Sequence, residues 1–89
     1  MEKKQYVIAY DLNHADDEYK TLYAELESWG GKRIQYSVWV APSAKENPQE
    51  IVDYLRAKGL IRPEDNLLVI RLGRDNWAKW NFVIDPNLL

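Results

Sequence analysis

Two uninterrupted apolar runs constrain this 89-residue chain more than any other feature. The first, YVIAYDL, covers residues 6–12 and stays apolar up to Asp11, and the second, LLVIRL, covers residues 67–72. Runs of this length that are rich in aromatic and β-branched residues predict strands covered by other parts of the protein. A chain this short forms one domain, which we assign to residues 1–89.

Two amphipathic segments between these strands predict helices. In the first, apolar side chains recur at helical spacing: Tyr19, Leu22, Tyr23, Leu26 and Trp29. Asp16 or Asp17 suits its N-cap, and the Gly30–Gly31 pair suits its end, where a left-handed residue is common. The second helix is predicted over residues 48–58, with Asn47 as its N-cap.

The segment RIQYSVWV, residues 33–40, leaves the topology open. From Arg33 to Val38, polar and apolar side chains alternate, with the polar ones at odd-numbered positions. Trp39 is the next odd-numbered residue, so in a single strand it would lie on the polar side. One continuous strand here would give a parallel, flavodoxin-like sheet of three strands, which is few for that plan. Two short strands folded at residues 35–37 would instead give βαββαβ, the ferredoxin-like α+β plan with an antiparallel sheet and both helices on one face. Size favours the hairpin, and the bend would free Trp39 from sharing a side with Arg33.

The ferredoxin-like plan leaves one face of the sheet without helices. In the first and last strands, alternate side chains point to opposite faces, and we expect the bulkier alternate set to pack against the helices. This set is Tyr6, Ile8, Tyr10, Leu12, Leu68, Ile70 and Leu72. The other set would line the bare face, namely Val7, Ala9, Asp11, Leu67, Val69 and Arg71. Such a face is too apolar to remain in water, so the sequence predicts a two-fold homodimer built across it.

Composition excludes several classes of protein. The chain has no cysteine and a single histidine, His14, so neither disulfides nor a Cys- or His-rich metal site is expected. Twelve Lys and Arg against fourteen Asp and Glu argue against a protein that coats DNA nonspecifically. No apolar run has the roughly 20 residues of a membrane span, and the N-terminal MEKKQ does not resemble a signal peptide. We therefore expect a cytoplasmic protein.

Taken in order, YVIAYDL, a helix, GKRIQYSVWV, a second helix and EDNLLVIRL resemble the CRISPR-associated Cas2 family and its VapD-like relatives. The chain is most similar to small stand-alone Cas2-like proteins of the SinR type, which open with a strand ending in Tyr-Asp-Leu-Asn, here residues 10–13. The resemblance covers nearly the whole chain. It implies a ferredoxin-like fold in which RIQ and SVWV are separate strands. It also implies a dimer in which WNFVID, residues 80–85, adds a strand to the partner's sheet.

The resemblance further implies what Asp11 does. In active members the matching Asp lies near the dimer axis, and the pair binds a divalent metal, here expected to be Mg²⁺, for phosphodiester cleavage. The interpretation without catalysis is a strand-end Asp that opens a turn with Asn13 or caps backbone N–H groups. His14 suits a general base, although a lone His in a polar loop is more often only solvated.

Four residues near the bend are candidates for contacts to nucleic acid: Lys32, Arg33, Gln35 and Ser37. In the structural alternative, Arg33 pairs with Asp11 or Glu27, and Ser37 serves the turn. The sequence thus supports two functions. One is a Mg²⁺-dependent endonuclease, such as an endoribonuclease, acting on RNA or DNA. The other is a non-catalytic dimeric scaffold that binds nucleic acid or a protein, such as an integrase in a CRISPR-like system or an antitoxin in a toxin–antitoxin pair.

Overall fold

The structure, a computed structural model, describes residues 3–73. The final strand predicted at residues 81–85, within the segment expected to join the partner's sheet, lies outside the described residues. The assignment of the whole chain to one domain therefore stays a prediction. Within residues 3–73, no helix is both long and apolar enough to cross a membrane.

The described chain alternates strands and helices in the order βαββαβ, with a short 3₁₀ helix, Asp16–Tyr19, leading into the first α-helix. The elements are β1 (Lys4–Asp11), α1 (Lys20–Ser28), β2 (Lys32–Gln35), β3 (Val38–Ser43), α2 (Pro48–Ala57) and β4 (Asn66–Leu72). All pairings are antiparallel and the spatial order of the strands is β2-β3-β1-β4. This confirms the ferredoxin-like plan and rules out the parallel alternative.

Both helices pack on one face of the sheet, where alternate residues of the strands enter the core. Tyr6 and Ile8 of β1 are fully buried, and they meet Leu26 of α1 and Leu55 of α2 in one apolar cluster. The cluster also contains Tyr10, Tyr19, Leu22, Trp39, Ala41, Ile51 and Ile61. β1 lies between β3 and β4, so its register fixes which side chains of both neighbours face this core.

That register corrects the prediction for β4. Leu67 lies opposite Tyr10 and Val69 lies opposite Ile8, and residues directly opposite each other share a face of the sheet. Leu67 and Val69 therefore pack against the core, whereas Leu68 is 58% exposed. Arg71, opposite Tyr6, was also assigned to the wrong face. Every position from 67 to 70 is apolar, so side-chain bulk alone could not identify the inner set.

The chain turns at Tyr36 and Ser37, between β2 and β3, as predicted. The bend does not separate Arg33 from Trp39, however, because the two are register partners across the hairpin. The register shifts only after that pair, between Arg33 and Gln35. Arg33 consequently lies on the helix face of the sheet, where it can contact the side chains of α1.

The helix ends follow the sequence in part. Asn47 caps α2 as predicted: its side chain accepts from the backbone N–H of Glu50 at 3.0 Å, and the Glu50 carboxylate accepts from the Asn47 N–H at 3.2 Å. The N-cap expected at Asp16 or Asp17 is wrong, because the 3₁₀ helix begins after Ala15. The Asp16 side chain is thereby free to make the tertiary contacts described below.

Gly31 lets the end of α1 approach β3 closely. A Cβ atom at this position would lie 2.7 Å from the Leu26 carbonyl oxygen and 3.0 Å from the Ala41 Cβ. Gly30, with φ of +88°, supplies the left-handed residue that ends the helix. The β2–β3 hairpin is therefore anchored directly against α1.

Candidate active site at the end of the central strand

A cleft of about 360 Å³ opens where β1 ends beside the tip of the β2–β3 hairpin. It is lined by Tyr10, Asp11, Leu12, His14, Asp16, Tyr23, Tyr36 and Ser37. Two of the predicted site residues, Asp11 and Ser37, thus share one cavity with three tyrosines. The fold brings them together because β1 pairs with β3 immediately after the hairpin turn, where the Tyr10 N–H donates to the Ser37 carbonyl at 3.1 Å.

Asp11 is the last residue of β1, and it is exposed. Its backbone pairs in register with Asn66 of β4. Among residues 3–73, its carboxylate makes no hydrogen bond or ion pair, so it neither caps the following turn nor bonds to Asn13. An exposed carboxylate that makes no hydrogen bond or ion pair within the protein is available to bind a cation.

Asp65, and not Asp11, is the carboxylate that accepts hydrogen bonds from the loop after β1. Its Oδ1 accepts from the Asn13 N–H at 2.9 Å and from the Tyr19 hydroxyl at 2.7 Å, and its Oδ2 accepts from the Arg62 N–H at 2.9 Å. Burial alone would raise the pKa of Asp65, but these hydrogen bonds outweigh it and lower the pKa. The carboxylate therefore clamps the loop after Asp11 to the turn before β4.

Two more contacts hold the same loop. The Asn13 side-chain amide donates to the Glu64 carbonyl, and the Nε2 of His14 lies 3.1 Å from the Glu64 carboxylate. The His14 side chain therefore has a partner within the protein, unlike a histidine that is only solvated. It lines the cleft, but this ring nitrogen is held by Glu64.

Arg33 makes its contacts within the protein. A guanidinium nitrogen lies 3.6 Å from Asp16 Oδ1, and Nε donates to the Tyr36 carbonyl at 2.8 Å. The guanidinium carbon also lies 4.5 Å from the ring centre of Tyr23 and 5.0 Å from that of Tyr36. The structural alternative for Arg33 is supported, but its partner is Asp16 and neither Asp11 nor Glu27.

Asp16 connects the 3₁₀ helix to the cleft. The Tyr23 hydroxyl donates to its Oδ1 at 2.7 Å, and this hydrogen bond, with Arg33 nearby, lowers the pKa of Asp16. Burial, followed by the bond to Asp16, raises the pKa of Tyr23. At neutral pH Asp16 is thus ionised and the Tyr23 hydroxyl is a neutral donor. These two residues of the cleft keep the same protonation states around pH 7.

The other predicted nucleic-acid contacts are dispersed. Lys32 and Arg33 line a neighbouring cleft of about 470 Å³, together with Tyr23, Glu27, Gly30, Gly31 and Trp39. Gln35 is exposed on β2 and lines neither of these two clefts. The four candidates therefore do not form one contact surface around Asp11.

The residues present fit a metal only in part. Within the described chain, no group of three or more His, Cys, Asp or Glu side chains is arranged to hold an ion. Asp11 offers the hard oxygen ligand that Mg²⁺ prefers, and Mg²⁺ is commonly held by one or two carboxylates with water completing the shell. One protomer supplies one free carboxylate at this place, and a second copy of Asp11 would supply the other.

Comparison with known proteins identifies the family. The family model described as CRISPR associated protein Cas2 matches residues 4–80, a span that includes both walls of the cleft and all described strands. The match does not distinguish the SinR-type or VapD-like groups. No curated protein and no solved structure matches the chain.

The clamp at Asp65 predicts a pH-dependent stability. At pH 7 we expect Asp65→Asn to lower the free energy of unfolding by about 1.5–3 kcal/mol, because hydrogen bonds to a charged group are lost. The folded-state pKa of Asp65 lies below its unfolded value, so the carboxylate stabilises the protein above about pH 4 and this contribution is lost as the pH falls further. Denaturant unfolding at several pH values should show the gap between the two proteins narrowing in acid.

Asp17→Asn is the matched control, because the Asp17 side chain is exposed and makes no hydrogen bond or ion pair within the described residues. We expect it to unfold like the wild type at every pH. A gap for Asp65→Asn that stays constant from pH 7 to pH 3 would contradict the clamp.

Proposed function

Because this chain belongs to the CRISPR-associated Cas2 family, we propose that it is a homodimeric, Mg²⁺-dependent endonuclease that cleaves RNA or DNA in the cytoplasm. One Asp11 from each subunit forms its active site. The observation that carries the proposal is the state of Asp11: its carboxylate is exposed, has no partner in residues 3–73 and ends the central strand. Family membership supports the coarser statement, a CRISPR-associated protein of a generally dimeric, nucleic-acid-related kind.

The bare face of the sheet supports the dimer. The strand registers place Val7, Ala9, Val38, Val40, Leu68 and Ile70 on this face. Val40 is already buried within the chain, so the exposed part of the face is centred on Leu68 and Ile70. Ile70 is 49% exposed and Leu68 is 58% exposed, and they lie directly opposite Val7 and Ala9. Removing apolar surface from water contributes about 25 cal/mol per Å², so a second copy that covers this patch stabilises both subunits.

Asp11 has the same parity as Val7 and Ala9, so it ends the row of side chains on that face. A two-fold interface places the same row from each subunit in contact. With the axis near the end of β1, the carboxylates of Asp11 and of the partner subunit's Asp11 reach one site. Two adjacent carboxylates repel each other, and this repulsion favours the uptake of a divalent cation between them.

The remaining residues position the substrate and the loop. When bound, Mg²⁺ would polarise the scissile phosphate and provide an activated water. Ser37 lines the same cleft, and a serine hydroxyl there can donate a hydrogen bond to a phosphate oxygen. Asp65 holds the loop that follows Asp11, which limits the movement of the carboxylate.

The second candidate is a non-catalytic dimeric scaffold that binds nucleic acid or a protein partner, such as an integrase or an antitoxin. Two observations favour it. Residues 3–73 contain no cluster of three metal-ligating side chains, and the guanidinium of Arg33 is already paired with Asp16. In this alternative Asp11 is a polar residue at the rim of the interface and takes no part in chemistry.

Replacement of Asp11 separates the two candidates. We expect Asp11→Asn to reduce Mg²⁺-dependent cleavage of labelled RNA and DNA by about 100-fold or more, because the charged metal ligand is lost while the side chain keeps its size. Cleavage by the wild type should also stop in excess chelator. Gel analysis of 5′-labelled substrates would measure both effects.

Asp17→Asn serves again as the control, since it removes a nearby exposed carboxylate that makes no hydrogen bond or ion pair in the described chain. It should cleave like the wild type. Equal activity of Asp11→Asn and the wild type would rule out the catalytic role, and a wild type that is inactive in Mg²⁺ would favour the scaffold.

The dimer is tested at Ile70. We expect Ile70→Lys to give a monomeric mass by light scattering at micromolar concentration, because the interface would have to bury an unpaired charge. Ile70→Val keeps the apolar surface and should remain dimeric. A monomeric wild type, or a dimeric Ile70→Lys, would contradict an interface built across this face.

A further inference from the structure

Tyr36 is the most exposed large hydrophobic side chain that the structure describes, at 74% of its surface. It lies at the tip of the β2–β3 hairpin and lines the same cleft as Asp11. Scattered exposed apolar residues are normal on protein surfaces. This one is distinguished by its position beside a free carboxylate and by the contacts that hold it there.

The ring of Tyr36 is held in position while most of its surface stays open. The guanidinium of Arg33 lies 5.0 Å from the ring centre and its Nε donates to the Tyr36 carbonyl at 2.8 Å. The Tyr36 hydroxyl donates to Asp16 Oδ1 at 3.4 Å. A side chain fixed in this way loses little further freedom when a ligand packs on it, so binding costs less entropy.

We propose that Tyr36 is a stacking platform for one unpaired nucleobase of an RNA or DNA strand whose backbone passes Asp11. The inference rests on the proposed function for the nature of the ligand. A tyrosine ring offers a flat surface that any base can stack on, and such stacking needs no sequence-specific hydrogen bonds. The open ring therefore suits a base, and the adjoining phosphate would approach Asp11 through a bound cation, because the carboxylate and the phosphate are both anionic.

This assignment also gives Arg33 a different role from the predicted phosphate contact. Its guanidinium lies against the rings of Tyr23 and Tyr36 and is paired with Asp16, so it supports the platform. Arg33 is thus a positioning residue for Tyr36.

The platform predicts a preference for unpaired strands. In a duplex each base is paired and already stacked between its neighbours, so it has no free face for Tyr36. A single strand, a loop or a frayed end presents a base that can stack at small cost.

Binding of fluorescein-labelled ten-nucleotide strands, followed by anisotropy in EDTA at low salt, tests the platform without cleavage. Three proteins are compared: the wild type, Tyr36→Ala and Tyr36→Phe. We expect Tyr36→Ala to weaken single-strand binding by about 5- to 150-fold, the range for one lost base–aromatic stack. Tyr36→Phe keeps the ring and should bind within about 2-fold of the wild type. RNA and DNA strands are measured separately to identify the polymer.

A strand with one abasic position sharpens the test. In the wild type, an abasic site at the stacked position should weaken binding about as much as Tyr36→Ala does, and in Tyr36→Ala it should cause no further loss. The corresponding duplex should bind Tyr36→Ala and the wild type equally. Circular dichroism and thermal unfolding would confirm that the variants are folded, as expected for so exposed a residue.

The outcomes separate this inference from the proposed function. Tight single-strand binding that is equal in the wild type and Tyr36→Ala overturns the platform and leaves the nuclease proposal standing. Loss of binding in Tyr36→Ala with no Asp11-dependent cleavage supports the platform and overturns catalysis. A wild type that binds neither RNA nor DNA overturns the platform, and the cleavage assay in Mg²⁺ then decides the nuclease proposal.

Discussion

The antiparallel pairing of β1 with β3 and β4 is the constraint on which the rest of the structure depends. Its register directs Tyr6, Ile8 and Tyr10 to the helices, and it leaves the alternate side chains on a face that no described helix covers. It also sets the parity of Asp11, which ends the uncovered row. The core, the exposed apolar patch at Leu68 and Ile70 and the free carboxylate thus follow from a single strand alignment.

Two other aspartates keep Asp11 available. Asp65 receives the hydrogen bonds of the loop that follows β1, and Asp16 receives those of Tyr23 and Tyr36 together with the charge of Arg33. Each carboxylate is stabilised in its ionised form by its neighbours. Because these two acids carry the structural contacts, Asp11 is left without an internal partner in the described chain. Its carboxylate is therefore available to the metal that we propose it binds.

Much of the fold could be predicted from the sequence, since the signals involved are local. The two apolar runs, the capping signal at Asn47 and the glycines after α1 identified their elements. The faces of β4 could not be predicted, because residues 67–70 are apolar on both sides and only pairing with β1 distinguishes them. The hairpin in RIQYSVWV followed from size and resemblance, because periodicity left it open.

The candidate site was harder to predict than the fold. Asp11 was recognised from its place at the end of an apolar strand, and the resemblance implied the metal-binding role that we propose for it. The clamp at Asp65 was missed because its partners lie more than forty residues away in sequence, at Asn13 and Tyr19. For Tyr36 the sequence predicted only a position in the turn at residues 35–37. Its exposure and its contacts with Arg33 depend on the register of the hairpin, which no local pattern encodes.

The central claim is that two subunits meet across the bare face and bring their Asp11 carboxylates together. The chain has no cysteine, so Asn66→Cys would carry a single spin label per subunit, directly opposite Asp11 and without altering it. The distance between labels, measured by pulsed electron paramagnetic resonance, is the most direct test, with Asp53→Cys on the exposed side of α2 as the reference. The account predicts a single short distance for position 66 and a much longer one for position 53. A position-66 distance as long as that at position 53, or no dipolar signal from either label, would contradict it.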